Sequence, residues 1–434
     1  MIQTAHPSPL PLASRGADAL SGSLAAPGDA TLAQTALMLA GLAVGRSTLC
    51  GLTPTSELVA SAEALRQLGV AVAMDGRDWH VDRLGPLGLL EPQAALVPGS
   101  AEAATLLLGL LAPYSFTTRL AGPAARLAPA LGEALAPIGQ VRSEADGLSL
   151  RGSPLPLPLQ GTLEGPDAPL KTALLLAAAQ TRGISTLVEP APSQDHAEKL
   201  LSAFGARLSV TEDETGGSTL ALAGLSELRP QHIAIPGDPA LAAYLALAAL
   251  IVPGSDITIE NVLINPLRTG LIDTLLEMGG DIHFVNQRLV GSEHVADLRV
   301  RSSRMKGVTL SDAHSAAIAG DIALVAVAAA CAEGETSIAG GTPALAAVLS
   351  AQKIDAKSQD GRLIITGTGR LEGGGKPVSS TDPRLAMSLL LLGLVSRKKV
   401  ALEDAAGIEA LFPGFVDMLR GAGARIESPK GRQP

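Results

Sequence analysis

A unit of two helices and short strands repeats six times along the chain, and this repeat constrains the fold more than any other feature. Each copy runs from a start marked by Gly, Pro or Asp through an Ala/Leu helix, a Gly, a short β-branched strand, a second helix and a further strand. Repeated units of this kind bury their apolar faces against one another, so the repeat sets the architecture. The starts lie near Asp29, Ser100, Asp167, Asp238, Asp321 and Asp382.

The two helices of each repeat differ in their apolar pattern. The first is apolar nearly all round, as residues 173–179, 240–250 and 322–330 show, and a helix without a polar face must be buried on every side. The second is amphipathic, with Leu58 and Leu65 spaced for one face of a helix. The pattern therefore predicts one helix inside each repeat, with the strands and the second helix outside.

The length of the chain predicts more than one domain. A chain of 434 residues exceeds one ordinary hydrophobic core. Three repeats around shared buried helices would make one domain, and six would make two. The Pro-bounded stretch 228–236 lies between the third and fourth repeats, and we expect the chain to cross between domains there.

Composition excludes several classes of protein. The chain is 47% hydrophobic and 2% aromatic with a formal net charge of -9, and its basic residues are scattered apart from the stretch 299–306. We therefore expect no nucleic-acid partner, since that needs a basic stripe. Cys50 and Cys331 are expected to be buried free thiols, and the seven His residues show no metal-ligand spacing.

The sequence also predicts a soluble, cytoplasmic protein. The first twenty residues contain no apolar stretch of the kind found in a secretory signal. Apolar runs such as residues 240–252 are shorter than the roughly 18 residues of a membrane span, so no membrane association is expected.

Four stretches of this sequence resemble the enolpyruvyl transferases, and most closely the glyphosate-tolerant class of 5-enolpyruvylshikimate-3-phosphate (EPSP) synthase. They are residues 195–199, 235–282, 296–303 and 384–388. The resemblance implies an inside-out α/β barrel of two domains, each with three βαβαββ-type repeats. It further implies shikimate 3-phosphate and phosphoenolpyruvate as substrates, release of phosphate, and no metal or organic cofactor.

The same resemblance implies where the two domains are divided along the chain. Domain one would comprise residues 1–22 plus 237–434, that is, the N-terminal strand and repeats four to six. Domain two would comprise residues 23–236, with repeats one to three.

The start of a helix binds anions readily, because its first N–H groups are unpaired and its dipole is positive there. The family places cations at these starts, and this chain lacks most of them. The Lys and Arg of the family's Gly-Asp-Lys-Ser-x-Ser-x-Arg motif are Ala30 and Thr35, and the Arg of the next motif is Leu106. Where the family has Ser-x-Gln-x-Lys, the chain has Asp167 in place of the Ser and retains the Lys as Lys171. The Arg that precedes the family's Asp-His-x-Glu stretch is replaced by Gln194.

The acid/base positions are altered too. The family's Asp-Glu pair reads Gly320-Asp321, and a stretch of charged residues is replaced by 341–347, which has no ionisable side chain. Asp321 is the remaining candidate for a catalytic base. The substrate-binding residues that the resemblance leaves are Thr31, Arg126, Lys171 and Arg384.

The loss in binding free energy expected from the missing cations favours an impaired protein. A charge-assisted hydrogen bond contributes roughly 1.5–3 kcal/mol, so four lost cations remove roughly 6–12 kcal/mol. A micromolar complex holds only about 8 kcal/mol. We therefore predict an EPSP synthase homologue that is catalytically impaired or inactive and that could bind a protein partner instead.

Three alternatives stay open. One is a functional enolpyruvyl transferase that acts on shikimate 3-phosphate through a rebuilt site. Another is an enzyme for a less anionic substrate, which would use Lys171, His196, Asp238, Arg268 and Arg384. Some of these residues also suit structural roles, since Lys171, Asp238 and Arg268 could cap helices or pair charges, and His196 could be a helix-start residue. A protein with interaction surfaces alone is the last alternative.

Overall fold

The chain divides into two compact units. The computed structural model describes residues 10–83, 88–122 and 128–428. Unit 1 contains the chain up to Pro27, Gly237–Arg288 and the residues from His294 onward, and unit 2 contains Gly28–Pro236 and Leu289–Glu293. Strand pairing within unit 1 extends through residues 21–25, so this unit reaches Pro27, where the sequence suggested residue 22.

Each helix follows one of the predicted starts or lies in the second half of a repeat. In chain order the helices are α1 (Ala30–Leu42), α2 (Ser56–Gln67), α3 (Ala101–Leu111), α4 (Ala128–Leu135), α5 (Ala168–Ala179), α6 (His196–Ala203), α7 (Pro239–Ile251), α8 (Gly270–Glu277), α9 (Asp312–Ala317), α10 (Ile322–Cys331), α11 (Pro343–Ala351), α12 (Pro383–Gly393), α13 (Ala406–Leu411) and α14 (Phe415–Ala422).

The strands are short. In chain order they are β1 (Leu12–Arg15), β2 (Ser21–Ala25), β3 (Gly45–Cys50), β4 (Ala71–Asp75), β5 (Asp78–Arg83), β6 (Thr117–Ala121), β7 (Gly139–Glu144), β8 (Gly147–Gly152), β9 (Gln160–Thr162), β10 (Ile184–Glu189), β11 (Arg207–Glu212), β12 (Ser218–Ala223), β13 (His232–Ala234), β14 (Asp256–Leu263), β15 (Asp281–Val290), β16 (Glu293–Arg301), β17 (Glu333–Ala339), β18 (Asp355–Gln359), β19 (Arg362–Thr368), β20 (Leu371–Gly373), β21 (Ser396–Lys398), β22 (Val400–Leu402) and β23 (Arg425–Glu427).

Unit 2 wraps small sheets around buried helices. Its sheets have the strand orders β13-β3-β5-β4, β6-β8-β7 and β11-β12-β10-β9. Helices α1, α3 and α5 are buried over most of their length. Helices α3 and α5 pack closely at Gly109, where an added Cβ would lie 2.1 Å from the carbonyl oxygen of Ala173.

Unit 1 repeats this plan. Its sheets have the strand orders β22-β1-β23, β15-β16-β14-β2, β17-β19-β18 and β20-β21. Helices α7, α10 and α12 are buried at their centre, where Leu, Ala and Val side chains supply the core. The segment Leu289–Glu293, at the turn between β15 and β16, belongs to unit 2.

These observations confirm the predicted inside-out α/β fold. The first helix of each repeat is inside, whereas second helices such as α2 and α6 bury one face. The chain passes from unit 2 to unit 1 at the end of the stretch 228–236, as expected, and the stretch itself contains β13, which pairs with β3 inside unit 2. Both cysteines are free, but they are half-buried rather than fully buried. Within the described residues, no helix combines the length and apolar character that a membrane span requires.

Candidate functional site

The three helices that open the repeats of unit 2, α1, α3 and α5, are capped by side chains of the protein itself. Asp29 Oδ1 accepts a hydrogen bond of 2.9 Å from the Leu32 amide, and Asp167 Oδ1 accepts one of 2.9 Å from the Leu170 amide. Carboxylate caps satisfy the unpaired amides and match the positive end of the helix dipole. The sequence predicted anion sites at these helix starts. At α1 and α5, a carboxylate of the protein itself already takes the place of a bound anion.

The positions where the family resemblance implies cations are filled by small or apolar side chains. Ala30 is exposed at the start of α1, whereas Thr35 and Leu106 are buried. The Thr35 hydroxyl donates to the backbone carbonyl of Thr31, at 2.9 Å. Thr31, a predicted substrate-binding residue, lies half-buried in the first turn of α1.

Lys171, another predicted substrate-binding residue, lies in the interior of unit 2. Its side chain is 0% exposed. Its ammonium is 2.7 Å from Glu198 Oε1 and 3.0 Å from Glu189 Oε2, and it donates to the Ser193 carbonyl at 3.3 Å. Three acceptors satisfy the three N–H groups of a lysine, so this ammonium is fully engaged inside the protein.

A second, partly buried cluster connects α6 to the turn segment Leu289–Glu293. His196 Nδ1 is 2.7 Å from Glu293 Oε1, and Lys199 Nζ is 3.0 Å from both Glu293 Oε2 and Asp195 Oδ1. Burial lowers the pKa of Lys199, but the Glu293 and Asp195 carboxylates outweigh it and raise this pKa overall.

The same cluster has the residue types of a metal site. Ligand atoms of Asp195, His196 and Glu293 lie within 4.8 Å of one another. The Lys199 ammonium, however, already pairs with both carboxylates and offsets one of their two negative charges. We therefore interpret the cluster as an ion-pair network that fixes the start of α6.

The predicted base and a predicted anion-binding residue meet in unit 1. Asp321 Oδ1 accepts hydrogen bonds from Arg384 Nε at 3.0 Å and from the Tyr244 hydroxyl at 2.8 Å. Asp321 is buried, whereas the Arg384 side chain is 38% exposed. Burial, followed by the effect of the Asp321 carboxylate, raises the pKa of Tyr244 well above its usual value.

Two further predicted residues have structural roles. Asp238 Oδ1 caps α7 by accepting from the Ala240 and Leu241 amides, and Asp238 Oδ2 accepts from Arg268 at 3.0 Å. This confirms the capping and pairing roles expected for them. The remaining candidate, Arg126, lies outside the described residues.

Several partners in these clusters were not identified from the sequence. Glu189, Glu198 and Glu293 lie on different elements from the cations that they pair with, so no local spacing indicates them. Tyr244 had a signal, since it is a polar side chain in the otherwise apolar α7. A buried tyrosine hydroxyl usually has a partner, which the sequence could not name.

Comparison with known proteins identifies the family to which the chain is related. A family model for EPSP synthase (3-phosphoshikimate 1-carboxyvinyltransferase) matches residues 14–419. The 3-phosphoshikimate 1-carboxyvinyltransferase of Chelativorans sp. is 40% identical over 438 residues, which cover 96% of this chain and 98% of that protein. The enzyme of the same name from Parvibaculum lavamentivorans is 39% identical over 427 residues, or 94% of each chain.

Solved structures give the same result. EPSP synthase from Acinetobacter baumannii superimposes with a TM-score of 0.86 at 26% identity, covering 97% of this chain and 100% of that one. The enolpyruvyl transferase NikO from Streptomyces tendae, at 20% identity and a TM-score of 0.76, shares the fold and covers 98% of this chain and 100% of that one. The fold, the family match over most of the chain and the close relatives together show that this chain belongs to the EPSP synthase family.

Proposed function

We propose that this chain is an EPSP synthase-family protein, related to the shikimate pathway of aromatic amino acid biosynthesis, that is impaired or inactive in enolpyruvyl transfer. The observation that carries the proposal is the state of two retained cations. Lys171 is buried between two carboxylates, and Arg384 is paired with Asp321. Carboxylates of the protein therefore compensate both positive charges, and neither cation remains free to pair with an anionic substrate.

The balance of charge supports weak substrate binding. Shikimate 3-phosphate and phosphoenolpyruvate each carry a phosphate and a carboxylate, and burying such charges without partners is costly. The four replaced cations remove roughly 6–12 kcal/mol of charge-assisted hydrogen bonding. A substrate that reached Lys171 would also have to displace Glu189 and Glu198.

The acid/base groups support slow chemistry. Asp321 Oδ1 accepts hydrogen bonds from Tyr244 and from Arg384, so this oxygen of the candidate base is already engaged within the protein. Residues 341–347, which lead into and begin α11, contain no ionisable side chain. Each missing general acid or base costs typically 10²–10⁴-fold in rate.

A second candidate function is active enolpyruvyl transfer to shikimate 3-phosphate or to a less anionic acceptor. The identity of 40% to a 3-phosphoshikimate 1-carboxyvinyltransferase over almost the whole chain favours it. So does the partly exposed guanidinium of Arg384, whose Nε is held by Asp321.

Titration calorimetry separates the two candidates. The full chain is titrated with shikimate 3-phosphate, first alone and then with phosphoenolpyruvate present. The proposal predicts no heat of binding at millimolar ligand, because the retained cations are already paired. A micromolar dissociation constant that is lost in Arg384→Ala would contradict it and favour the active enzyme.

A further inference from the structure

The buried cluster around Lys171 contains more negative than positive charge. One ammonium lies within ion-pair distance of two carboxylates, at 2.7 Å from Glu198 and 3.0 Å from Glu189. The side chains are 0% exposed for Lys171, 3% for Glu189 and 11% for Glu198. An ionised carboxyl group in such surroundings needs a full set of partners, because water cannot solvate it.

The two carboxyl groups differ in their partners. Glu189 Oε2 accepts from Lys171, and Glu189 Oε1 accepts from the Ser193 amide at 3.0 Å and from the Ser193 hydroxyl. Glu198 Oε1 is paired with Lys171, but Glu198 Oε2 is buried and has no hydrogen-bond partner among the described residues. Both oxygens of the Glu189 carboxyl group therefore have partners, whereas one oxygen of the Glu198 carboxyl group has none within the described part of the chain.

No further cation in the described surroundings compensates Glu198. Helix α1, which packs against α6, has no ionisable side chain, and β11 contributes the exposed Arg207 and Glu212. On α6 itself, Lys199 and His196 are paired with Glu293. Asp195, at the start of α6, adds further negative charge near Glu198.

We propose that Glu198 carries a proton in the folded protein at neutral pH, so that Lys171 and Glu189 form the buried ion pair beside a neutral carboxylic acid. A neutral group with one unpartnered oxygen is much less costly to bury than an ionised one. Burial is also the largest influence on the pKa of Glu198 and raises it, against the lowering effect of Lys171. This proton site is independent of whether the chain transfers enolpyruvyl groups.

The pH dependence of stability follows from this assignment. Between the ordinary glutamate value of 4.5 and the raised folded value, the folded protein holds a proton that the unfolded chain has released. The contribution of the Glu198 proton to stability is therefore fully present below 4.5 and is lost as the pH rises through this window, with the unfolding equilibrium constant increasing up to about tenfold per pH unit.

Two measurements on the full chain test the proposal. The first is the infrared difference spectrum at pH 7 between the wild type and Glu198→Gln. We expect the wild type to show the carbonyl stretch of a protonated carboxyl group, and the variant to lack it. The second is urea unfolding from pH 5 to 8, followed by Trp79, the single tryptophan, which is fully buried in β5 of unit 2.

The variants give opposite expectations for the two carboxyl groups. Glu198→Gln has nearly the shape of the neutral acid, so it should fold, match the wild type at pH 5 and lose less stability than the wild type toward pH 8. Glu189→Gln removes the ionised partner of Lys171 and should lower the urea midpoint at every pH. The exposed Glu212→Gln is the matched control and should follow the wild type.

Three results would overturn the assignment. A missing carboxyl band would show that both groups are ionised. Parallel pH profiles for the wild type and Glu198→Gln would show that this residue holds no extra proton. If Glu198→Gln fails to fold while Glu189→Gln behaves like the wild type, the proton belongs to Glu189 instead.

Discussion

Replacing Lys171 by Met separates a structural role for this residue from a substrate-binding role. The methionine side chain is of similar length, so it fills the same space without the charge. Glu189 and Glu198 would then lie buried without their shared cation. Removing one partner of a buried ion pair typically costs about 3–5 kcal/mol, because the remaining charge is uncompensated. We expect a loss of this size for Lys171→Met.

Urea unfolding followed by Trp79 fluorescence measures this loss in unit 2. Arg46→Met is the matched control, since Arg46 is 69% exposed and pairs with Asp82 at the surface of the same unit. Such a pair contributes about 0–1 kcal/mol. A lysine that served only to bind a ligand would not be needed for folding. If Lys171→Met lowered the free energy of unfolding no more than Arg46→Met does, the structural interpretation of Lys171 would be refuted.

Three further substitutions test the packing and the caps. Gly109→Ala would place a Cβ 2.1 Å from the Ala173 carbonyl oxygen, so α3 and α5 must separate, and we expect a loss of about 1–3 kcal/mol or more in the Trp79 assay. Tyr244→Phe removes one of the two hydrogen bonds to Asp321 and should cost about 0.5–1.5 kcal/mol by calorimetric unfolding. Asp238→Ala removes the cap of α7 and should cost at least about 0.5–2 kcal/mol in the same experiment.

A specific outcome would contradict each of these predictions. For Gly109, the control is Gly132→Ala in α4, where the nearest atom is 3.8 Å away and alanine should be neutral or stabilising. Equal effects of the two substitutions would exclude close helix packing as the cause. An unchanged transition in Tyr244→Phe would mean that the hydroxyl bond adds nothing to stability. Asp238→Ala without effect would show that other groups hold the start of α7.

The features that were predictable from the sequence are local ones. A helix that is apolar all round is expected to be buried, and an Asp that follows Gly or Pro is a typical capping residue for its first turn. Helices α1, α5 and α7 accordingly begin within a residue or two of their predicted starts. The apolar pattern of a helix and its capping residue are set by neighbours along the chain, which the sequence displays directly.

The ion pairs were not predictable because they join distant parts of the chain. Glu293 pairs with His196 across 97 residues, and Asp321 pairs with Arg384 across 63. The sequence showed which cations remained, but it did not show that carboxylates of the same unit compensate them. Tyr244 was visible as a polar residue in an apolar helix, although its partner was not.

Turnover tests the central claim most directly. The purified chain and the 3-phosphoshikimate 1-carboxyvinyltransferase of Chelativorans sp. are assayed together for phosphate release from shikimate 3-phosphate and phosphoenolpyruvate. The proposed impairment predicts a rate at least about 10²–10⁴-fold below that of the relative, as expected for the loss of one acid/base group. A rate within tenfold of the relative would contradict the proposal and would mean that the paired Arg384 and Asp321 still serve catalysis.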